Sequence, residues 1–113
     1  MIRDLINSGK INSKRFDKIK NIFISNMLEY FKKNDVEESA IELFKEMTQN
    51  LPFEEFKEYA TYQHFCGLFG NKDLIIRKKY TIYTNKDEIW VIWDLYRFTY
   101  GMCRGNFDFS SLD

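Results

Sequence analysis

One histidine and two cysteines are the residues of this 113-residue chain best suited to metal binding or nucleophilic chemistry. They are His64, Cys66 and Cys103. His-x-Cys is not a standard zinc spacing, and the chain has no Cys-x-x-Cys pair that could complete a site. A nucleophilic Cys–His pair needs both side chains within hydrogen-bond reach and a third group that orients the histidine, and the spacing indicates neither. We therefore expect no bound metal, no cofactor and no catalytic cysteine.

Acidic residues and glycines in the middle of the chain have structural explanations. Glu54, Glu55 and Glu58 would lie in the first turns of a helix, where acidic side chains stabilise the helix dipole. Gly67 and Gly70 are typical of residues that end a helix and form the next turn. General acid–base catalysis needs two carboxyl groups whose surroundings separate their pKa values, and this spacing does not predict such a pair. We predict that the protein is not an enzyme.

A basic segment that contains a tyrosine is the best candidate for contact with nucleic acid, because a strand could present cations beside a stacking ring. The first long predicted helix adds a second basic group. Lysines also protect the edge of a sheet against aggregation, and we favour that explanation because the chain has zero net charge. The candidate nucleic-acid-binding residues are Arg77, Lys78, Lys79, Tyr80, Lys14, Arg15 and Lys18.

The segment Glu88–Cys103 contains both tryptophans and is the most apolar part of the chain. Aromatic residues make up 18% of the sequence, and Tyr, Trp and Phe are enriched at protein–protein interfaces. We therefore predict that a protein partner, or a second copy of the chain, contacts aromatic residues in or next to this segment. The candidate partner-binding residues are Tyr83, Trp90, Trp93, Tyr96 and Tyr100.

Apolar residues recur at steps of three and four over the first half of the chain, which predicts helices. A short helix would end at Gly9, and three main helices would follow it. The first of the three would have Ser13 as its N-cap and would end at Asn34. Asp35 and Glu38 resemble a capping box for the second, and the third would begin at the single proline.

The C-terminal half predicts strands. Leu74–Thr84 is rich in β-branched and aromatic residues, and a turn would follow it. Glu88–Cys103 would then form a central strand with two apolar faces, with a helical end near Tyr96 to Cys103. The same segment could instead be a helix that is capped by Asn85 or Asp87 and buried on all sides. We predict an α+β fold in a single domain over residues 1–113, with three main helices packed on a β-hairpin or small antiparallel sheet. All-α is the alternative, and in either fold a shortage of cover for Glu88–Cys103 would favour self-association or partner capture.

The zero net charge conceals a segregation of charge along the chain. Residues 1–34 hold eight basic and three acidic residues, whereas residues 35–60 hold two and eight. Antiparallel helices that place opposite charges side by side would explain this pattern, and we favour that explanation. The alternative is a bipolar surface that steers a charged partner.

Together these patterns predict a small cytosolic protein-binding regulator or inhibitor, with a nucleic-acid-binding accessory protein as the alternative. The size and composition would suit a phage or other mobile element whose product acts on a host or defence protein. The chain begins without a signal-peptide pattern, and no apolar run reaches the ~18 residues that would span a bilayer. We therefore expect a cytoplasmic protein that does not contact a membrane.

Overall fold

The computed structural model describes residues 2–62 and 72–102, and it describes side chains for residues 2–60 and 74–99. These two ranges contain six helices: α1 (Ile2–Asn7), α2 (Ser13–Lys33), α3 (Glu38–Gln49), α4 (Phe53–Tyr62), α5 (Lys72–Tyr80) and α6 (Ile89–Met102). Neither range contains a strand. The predicted α+β fold is therefore wrong, and the all-α alternative is correct.

Helix α2 packs against α3, α4 and α6. Its predicted apolar stripe is largely confirmed, because the buried face of α2 consists of Phe16, Ile19, Phe23, Ile24, Met27 and Phe31. The Phe16 ring centroid lies 4.6 Å from that of Phe56 in α4, and the Phe23 ring meets Tyr96 of α6 edge-on at 4.9 Å. Aromatic contacts from one helix thus connect the N-terminal helices to α6.

The predicted end of the first helix is confirmed, because Gly9 adopts a left-handed conformation with φ of +81°. The predicted N-cap of α2 is wrong by one residue. Asn12, rather than Ser13, has the extended backbone of an N-cap, and its Oδ1 accepts a hydrogen bond from the Arg15 N–H at 3.0 Å. Both side chains could cap a helix, so the sequence did not discriminate between adjacent positions.

The predicted capping box of Asp35 and Glu38 is also wrong. Asp35 follows Asn34, the C-cap of α2, and adopts the left-handed conformation with φ of +51°. A residue in that conformation ends the preceding helix and does not have the extended backbone of an N-cap. Glu37 occupies the N-cap position of α3, without a side-chain capping hydrogen bond.

Helix α5 replaces most of the predicted strand Leu74–Thr84. Ile76 and Tyr80, one helical turn apart, are both buried, and α5 packs against α6. Arg77 and Lys78 remain exposed. The β-branched and aromatic composition indicated a half-buried surface, which a short helix with one buried face also provides. The composition therefore predicted burial correctly and the backbone conformation wrongly.

Helix α6 replaces the predicted central strand, and every residue from 91 to 99 is buried. A strand buried on both faces needs neighbouring strands at both edges, and a hairpin supplies one. A helix satisfies its own backbone N–H and C=O groups, so it can be covered on all sides. Since α2, α3 and α5 pack against α6, the chain itself covers residues 91–99, and over these residues the predicted shortage of cover is not found.

Several polar groups lie within this packing. Asp94 and Arg97 form an ion pair one turn apart on α6, and both residues are buried. The hydroxyl oxygens of Tyr80 and Tyr96 are 3.2 Å apart and share a hydrogen bond between α5 and α6. The ion pair lies within α6, whereas the hydrogen bond between the tyrosines joins α6 to α5.

Candidate functional site

An open cleft of about 790 Å³ lies between the start of α2 and the loop that joins α5 to α6. One side of the cleft is formed by α2 and its N-cap, and the other side is formed by residues 82–88. The lining residues are Asn12, Lys14, Arg15, Lys18, Ile82, Tyr83, Thr84, Asn85 and Glu88. The structure thus brings one of the two predicted basic groups next to Tyr83, which was predicted to bind a protein partner.

The α2 side of the cleft carries three exposed cations, Lys14, Arg15 and Lys18. The Asn12 cap fixes the first turn, and one Arg15 guanidinium nitrogen donates to the Lys10 carbonyl at 3.1 Å. Lys14 and Lys18 are four residues apart, so they lie on the same helical face. These cations consequently form one surface, while the opposite face of α2 is buried.

The loop side is held by hydrogen bonds at both ends. The Tyr80 carbonyl accepts from the backbone N–H groups of Tyr83 and Thr84, each at 3.0 Å, and from the Thr84 hydroxyl at 2.9 Å. At the other end, Asn85 Oδ1 accepts from the Glu88 N–H at 2.9 Å, while Glu88 Oε1 accepts from the Asn85 N–H at 2.9 Å. This reciprocal pair is a capping box for α6, with Asn at the N-cap.

Between these anchors, the loop exposes two large apolar side chains. Ile82 is 79% exposed and Tyr83 is 45% exposed. Holding them in solvent is unfavourable, because burial of an aliphatic side chain is worth roughly 1.5–3 kcal/mol. The anchored backbone keeps both side chains at the cleft, so the loop presents a small, preorganised apolar surface.

The cleft is positively charged. Lys14, Arg15 and Lys18 form no ion pair with residues in the described ranges, and the Glu88 carboxylate is buried in the α6 cap. The starts of α2 and α6 both lie at the cleft, so the positive ends of two helix dipoles add to the same potential. An anionic group would therefore be attracted to it.

The ion pairs described for residues 2–62 and 72–102 each lie within one helix and join residues three or four apart. Among the described residues, no ion pair joins α2 to the acidic helices α3 and α4, although α2 packs against both. The Lys20 ammonium donates instead to the backbone carbonyls of Gln49 and Leu51, at the end of α3, at 3.2 and 3.0 Å. The two explanations of the charge segregation, side-by-side helices and a bipolar surface, both stay predictions.

Two of the five aromatic residues predicted to bind a partner lie in the interior. Trp93 and Tyr96 are buried, and Trp90 is half-buried with its ring edge-on to Trp93 at 4.8 Å. Tyr100 lies in α6, and its side chain is outside the described part. Tyr83 is the member of the set that reaches the cleft.

The second predicted nucleic-acid-binding group, at the end of α5, is divided among different surroundings. The Arg77 guanidinium carbon lies 4.5 Å from the Trp93 ring centroid, and Tyr80 is fully buried. Lys78 is exposed. A helix points these neighbouring residues in different directions, so they do not form the basic face that a strand would have presented.

Lys79 is half-buried, and its ammonium nitrogen lies 5.7 Å from the Tyr30 ring centroid. Burial lowers the pKa of Lys79, and the attraction of Glu29 opposes this effect. A lysine that is partly desolvated against the α2 surface has less capacity to contact a phosphate. The first basic group, at the start of α2, keeps its cations exposed.

The residues considered for metal or nucleophilic chemistry, His64, Cys66 and Cys103, lie outside the described residues, as do Gly67 and Gly70. Among the described residues, no group of three or more histidine, cysteine or acidic side chains could hold a metal ion. None of the helices in residues 2–62 and 72–102 combines the length and apolar character needed to cross a membrane.

The acidic residues at the start of α4 remain separate from the cleft lining. Glu54 forms an ion pair with Lys57 at 2.9 Å, and Glu54, Glu55 and Glu58 are exposed. Their position in the first turns agrees with the predicted stabilisation of the helix dipole.

Sequence reasoning missed Ile82 and Asn85 as site residues. The capping box could have been found, because Asn85 precedes Glu88 by three residues and an apolar run follows. Ile82 gave no such signal, because the predicted strand Leu74–Thr84 would have placed its side chain on the same face as Ile76 and Tyr80.

Chemically, the cleft combines exposed cations with an exposed aliphatic and an exposed aromatic side chain. No protein-family model, no curated protein and no solved structure matches this chain.

Proposed function

We propose that this protein is a small protein-binding regulator or inhibitor that contacts its partner through the cleft between α2 and residues 82–88. One observation carries the proposal: Ile82 and Tyr83 are exposed in the same cleft as three cations that form no ion pair with any residue of the described part of the chain. Protein interfaces commonly combine an apolar centre with a polar, charged rim. We further propose that the partner is cytosolic, such as a host or defence protein acted on by the product of a mobile element.

The apolar side chains favour a protein over a nucleic acid. Tyr83 could stack on a base, but Ile82 has no ring to stack and gains nothing from a phosphate. Arg77 and Lys79 contact aromatic rings within the chain, which reduces the set of cations available to a nucleic-acid backbone. A nucleic-acid binder would rely on cations distributed along a groove, and its affinity would come mainly from phosphate contacts.

Capture from cells with matched variants tests this proposal. The wild-type protein, an Ile82→Glu variant and a Leu74→Glu variant would each be crosslinked in cells, and the bound proteins would be identified by mass spectrometry. Leu74 is the control, because it is 72% exposed on α5 and does not line the cleft. The captured protein would then be purified, and its affinity for each variant would be measured by calorimetry.

We expect Ile82→Glu to weaken binding by roughly tenfold or more, because a side chain at the centre of an interface typically contributes over 1 kcal/mol. Leu74→Glu should leave the affinity unchanged. Equal affinity for Ile82→Glu and the wild type would remove the cleft from the proposal. Failure to recover any specific protein with the wild type would count against the protein-binding function itself.

A further inference from the structure

We infer that the partner segment bound by this cleft is an acidic peptide segment with carboxylates flanking an apolar side chain. This inference rests on the proposed function and adds the chemistry of the partner. It follows from two properties of the cleft, its positive charge and the exposed apolar pair, which lie close enough to line the same 790 Å³ volume.

The charge of the cleft specifies the sign of the partner. Lys14 and Lys18 are exposed on one face of α2, and no carboxylate of the described residues forms an ion pair with either. Arg15 uses one guanidinium nitrogen on the Lys10 carbonyl, and the rest of its planar fork can receive a carboxylate. Glu88, the carboxylate in the cleft lining, accepts a hydrogen bond within the α6 cap. Carboxylates from a partner would supply the missing negative charge.

The exposed apolar side chains of Ile82 and Tyr83 indicate that the partner segment also carries an apolar side chain. A free phosphate or another small anion would neutralise Lys14, Arg15 and Lys18 but would leave Ile82 and Tyr83 exposed. A peptide that carries carboxylates and an aliphatic or aromatic side chain would pair with the cations of α2 and also bury Ile82 and Tyr83. Because Ile82 is 79% exposed, it projects from the rim of the cleft, so its partner must lie over the loop rather than inside an enclosed pocket.

Within the described residues, the acidic surface of a second copy offers carboxylates but no large exposed apolar side chain. This surface, formed by α3 with its N-cap Glu37 and by α4, includes exposed carboxylates for which the described part of the chain shows no ion pair: Glu37, Glu38, Glu46, Glu55 and Glu58. The large hydrophobic side chains exposed in the described part of the chain belong to α5 and the loop after it, and neither α3 nor α4 contributes one. Docking of α3 and α4 in the cleft would pair charges without burying Ile82. A different protein therefore fits better.

Titration with short capped peptides tests the inference without a natural partner. Four probes would be used: a peptide of Glu and Leu, the same peptide with Gln for every Glu, the same peptide with Ser for every Leu, and a single-stranded DNA of similar length. Binding to the full-length protein would be followed by amide chemical shifts in two-dimensional NMR at low and high salt. We expect the Glu–Leu peptide to shift residues 12–18 and 82–88, and each altered peptide to bind at least about tenfold more weakly.

Variants assign the contacts. Lys14→Gln combined with Lys18→Gln should weaken the Glu–Leu peptide about tenfold and reduce the salt dependence. Lys32→Gln is the matched control, because Lys32 is exposed near the opposite end of the same helix. Ile82→Ser should weaken the Glu–Leu peptide but have little effect on the Ser-substituted one.

The outcomes separate the partner chemistry from the proposed function. If the Glu–Leu peptide causes no shifts while a captured protein still loses affinity for Ile82→Glu, the acidic chemistry is wrong and the protein-binding function stands. Salt-sensitive DNA binding without peptide binding would overturn both. Concentration-dependent sedimentation that disappears when the α3 and α4 carboxylates are replaced by amides would show that a second copy occupies the cleft, which also overturns the inference.

Discussion

The Arg77 guanidinium lies over the indole ring of Trp93, with its Cζ atom 4.5 Å from the ring centroid. This contact connects α5 to α6 and covers part of a ring that also meets Trp90 edge-on. Arg77 was a candidate for nucleic-acid binding and Trp93 for partner binding. The two side chains contact each other within the chain. A basic residue and an aromatic residue that were both predicted to bind partners therefore contribute to the packing of α5 against α6.

Replacing Arg77 tests the strength of this contact. We expect Arg77→Gln to lower the free energy of unfolding by about 1 kcal/mol, because a cation over a tryptophan face is worth roughly that amount at a partly exposed site. Lys78→Gln makes the same charge change at the next, exposed residue, and it should cost less than about 0.5 kcal/mol. Urea unfolding of the three proteins measures both values. If Arg77→Gln and Lys78→Gln lowered the free energy of unfolding equally, the effect would come from the removed charge and not from the contact with the Trp93 ring.

The N-terminal helices were predictable because each has one apolar face and one polar face. In α2, Phe16 and Phe23 recur at helical spacing while Lys14 and Lys18 occupy the other side, so the period is visible in the sequence. Helix α6 has no such contrast. Apolar residues occur on every side of α6, between polar residues such as Asp94 and Arg97, so its sequence is compatible with both a doubly covered strand and a buried helix.

The start of α6 depends on Asn85, whose side chain accepts hydrogen bonds from the Asp87 and Glu88 N–H groups at 3.0 and 2.9 Å. We expect Asn85→Ala to lower the free energy of unfolding by about 1 kcal/mol, because it leaves these N–H groups without their acceptor. Asn85→Asp keeps the acceptor and should retain most of the stability. Lys86→Ala, in the same turn, should have little effect. Thermal unfolding monitored by far-UV circular dichroism would rank the four proteins.

The candidate site was predictable only in part, for reasons that concern particular residues. Lys14, Arg15 and Lys18 stood out because the sequence places them in one helical turn and a half. Ile82, which lines the same cleft, did not stand out. In the predicted strand, alternate side chains share a face, so Ile82 was expected to be on the same face as Tyr80. Helix α5 ends at Tyr80, and Ile82 becomes a loop residue. The contact between the two groups depends on packing between distant parts of the chain, which local patterns do not encode.

The hydroxyl pair of Tyr80 and Tyr96 allows a double-mutant cycle. Burial raises the pKa of both phenols, that of Tyr96 to about 12, so both stay protonated and hydrogen-bonded at neutral pH. We expect Tyr80→Phe and Tyr96→Phe each to cost about 1–2 kcal/mol, because each leaves a buried hydroxyl with one partner fewer.

The double variant should cost less than the sum of the two by about 1 kcal/mol, because the second substitution removes the hydroxyl that the first one deprived of its partner. Guanidinium unfolding of the four proteins measures this coupling. Strict additivity would show that the two hydroxyls do not stabilise each other. Tyr83→Phe, on an exposed tyrosine of the loop after α5, provides a reference for the loss of a single hydroxyl that lies in solvent.

Asp94 makes the stability depend on pH in a direction opposite to that of an ordinary salt-bridged carboxylate. Burial raises the pKa of Asp94 from 3.8 to about 6, although the neighbouring Arg97 guanidinium acts in the opposite direction. The folded protein therefore binds this proton more tightly than the unfolded chain does. The resulting stabilisation is present below pH 4 and is lost as the pH rises to about 6, by about 3 kcal/mol.

The Asp94→Asn variant removes this titration, so the test is the difference in unfolding free energy between wild type and variant across the pH range. We expect that difference to fall by about 2.5 kcal/mol from pH 4 to pH 7, because the wild type loses the stabilising proton and the variant has none to lose. Arg97→Gln should move the fall to higher pH, because the cation that favours the ionised carboxyl is gone. Urea unfolding at closely spaced pH values provides the profiles. A difference that rises with pH would show that the attraction of Arg97 outweighs the desolvation of Asp94, and that the pKa lies below its ordinary value.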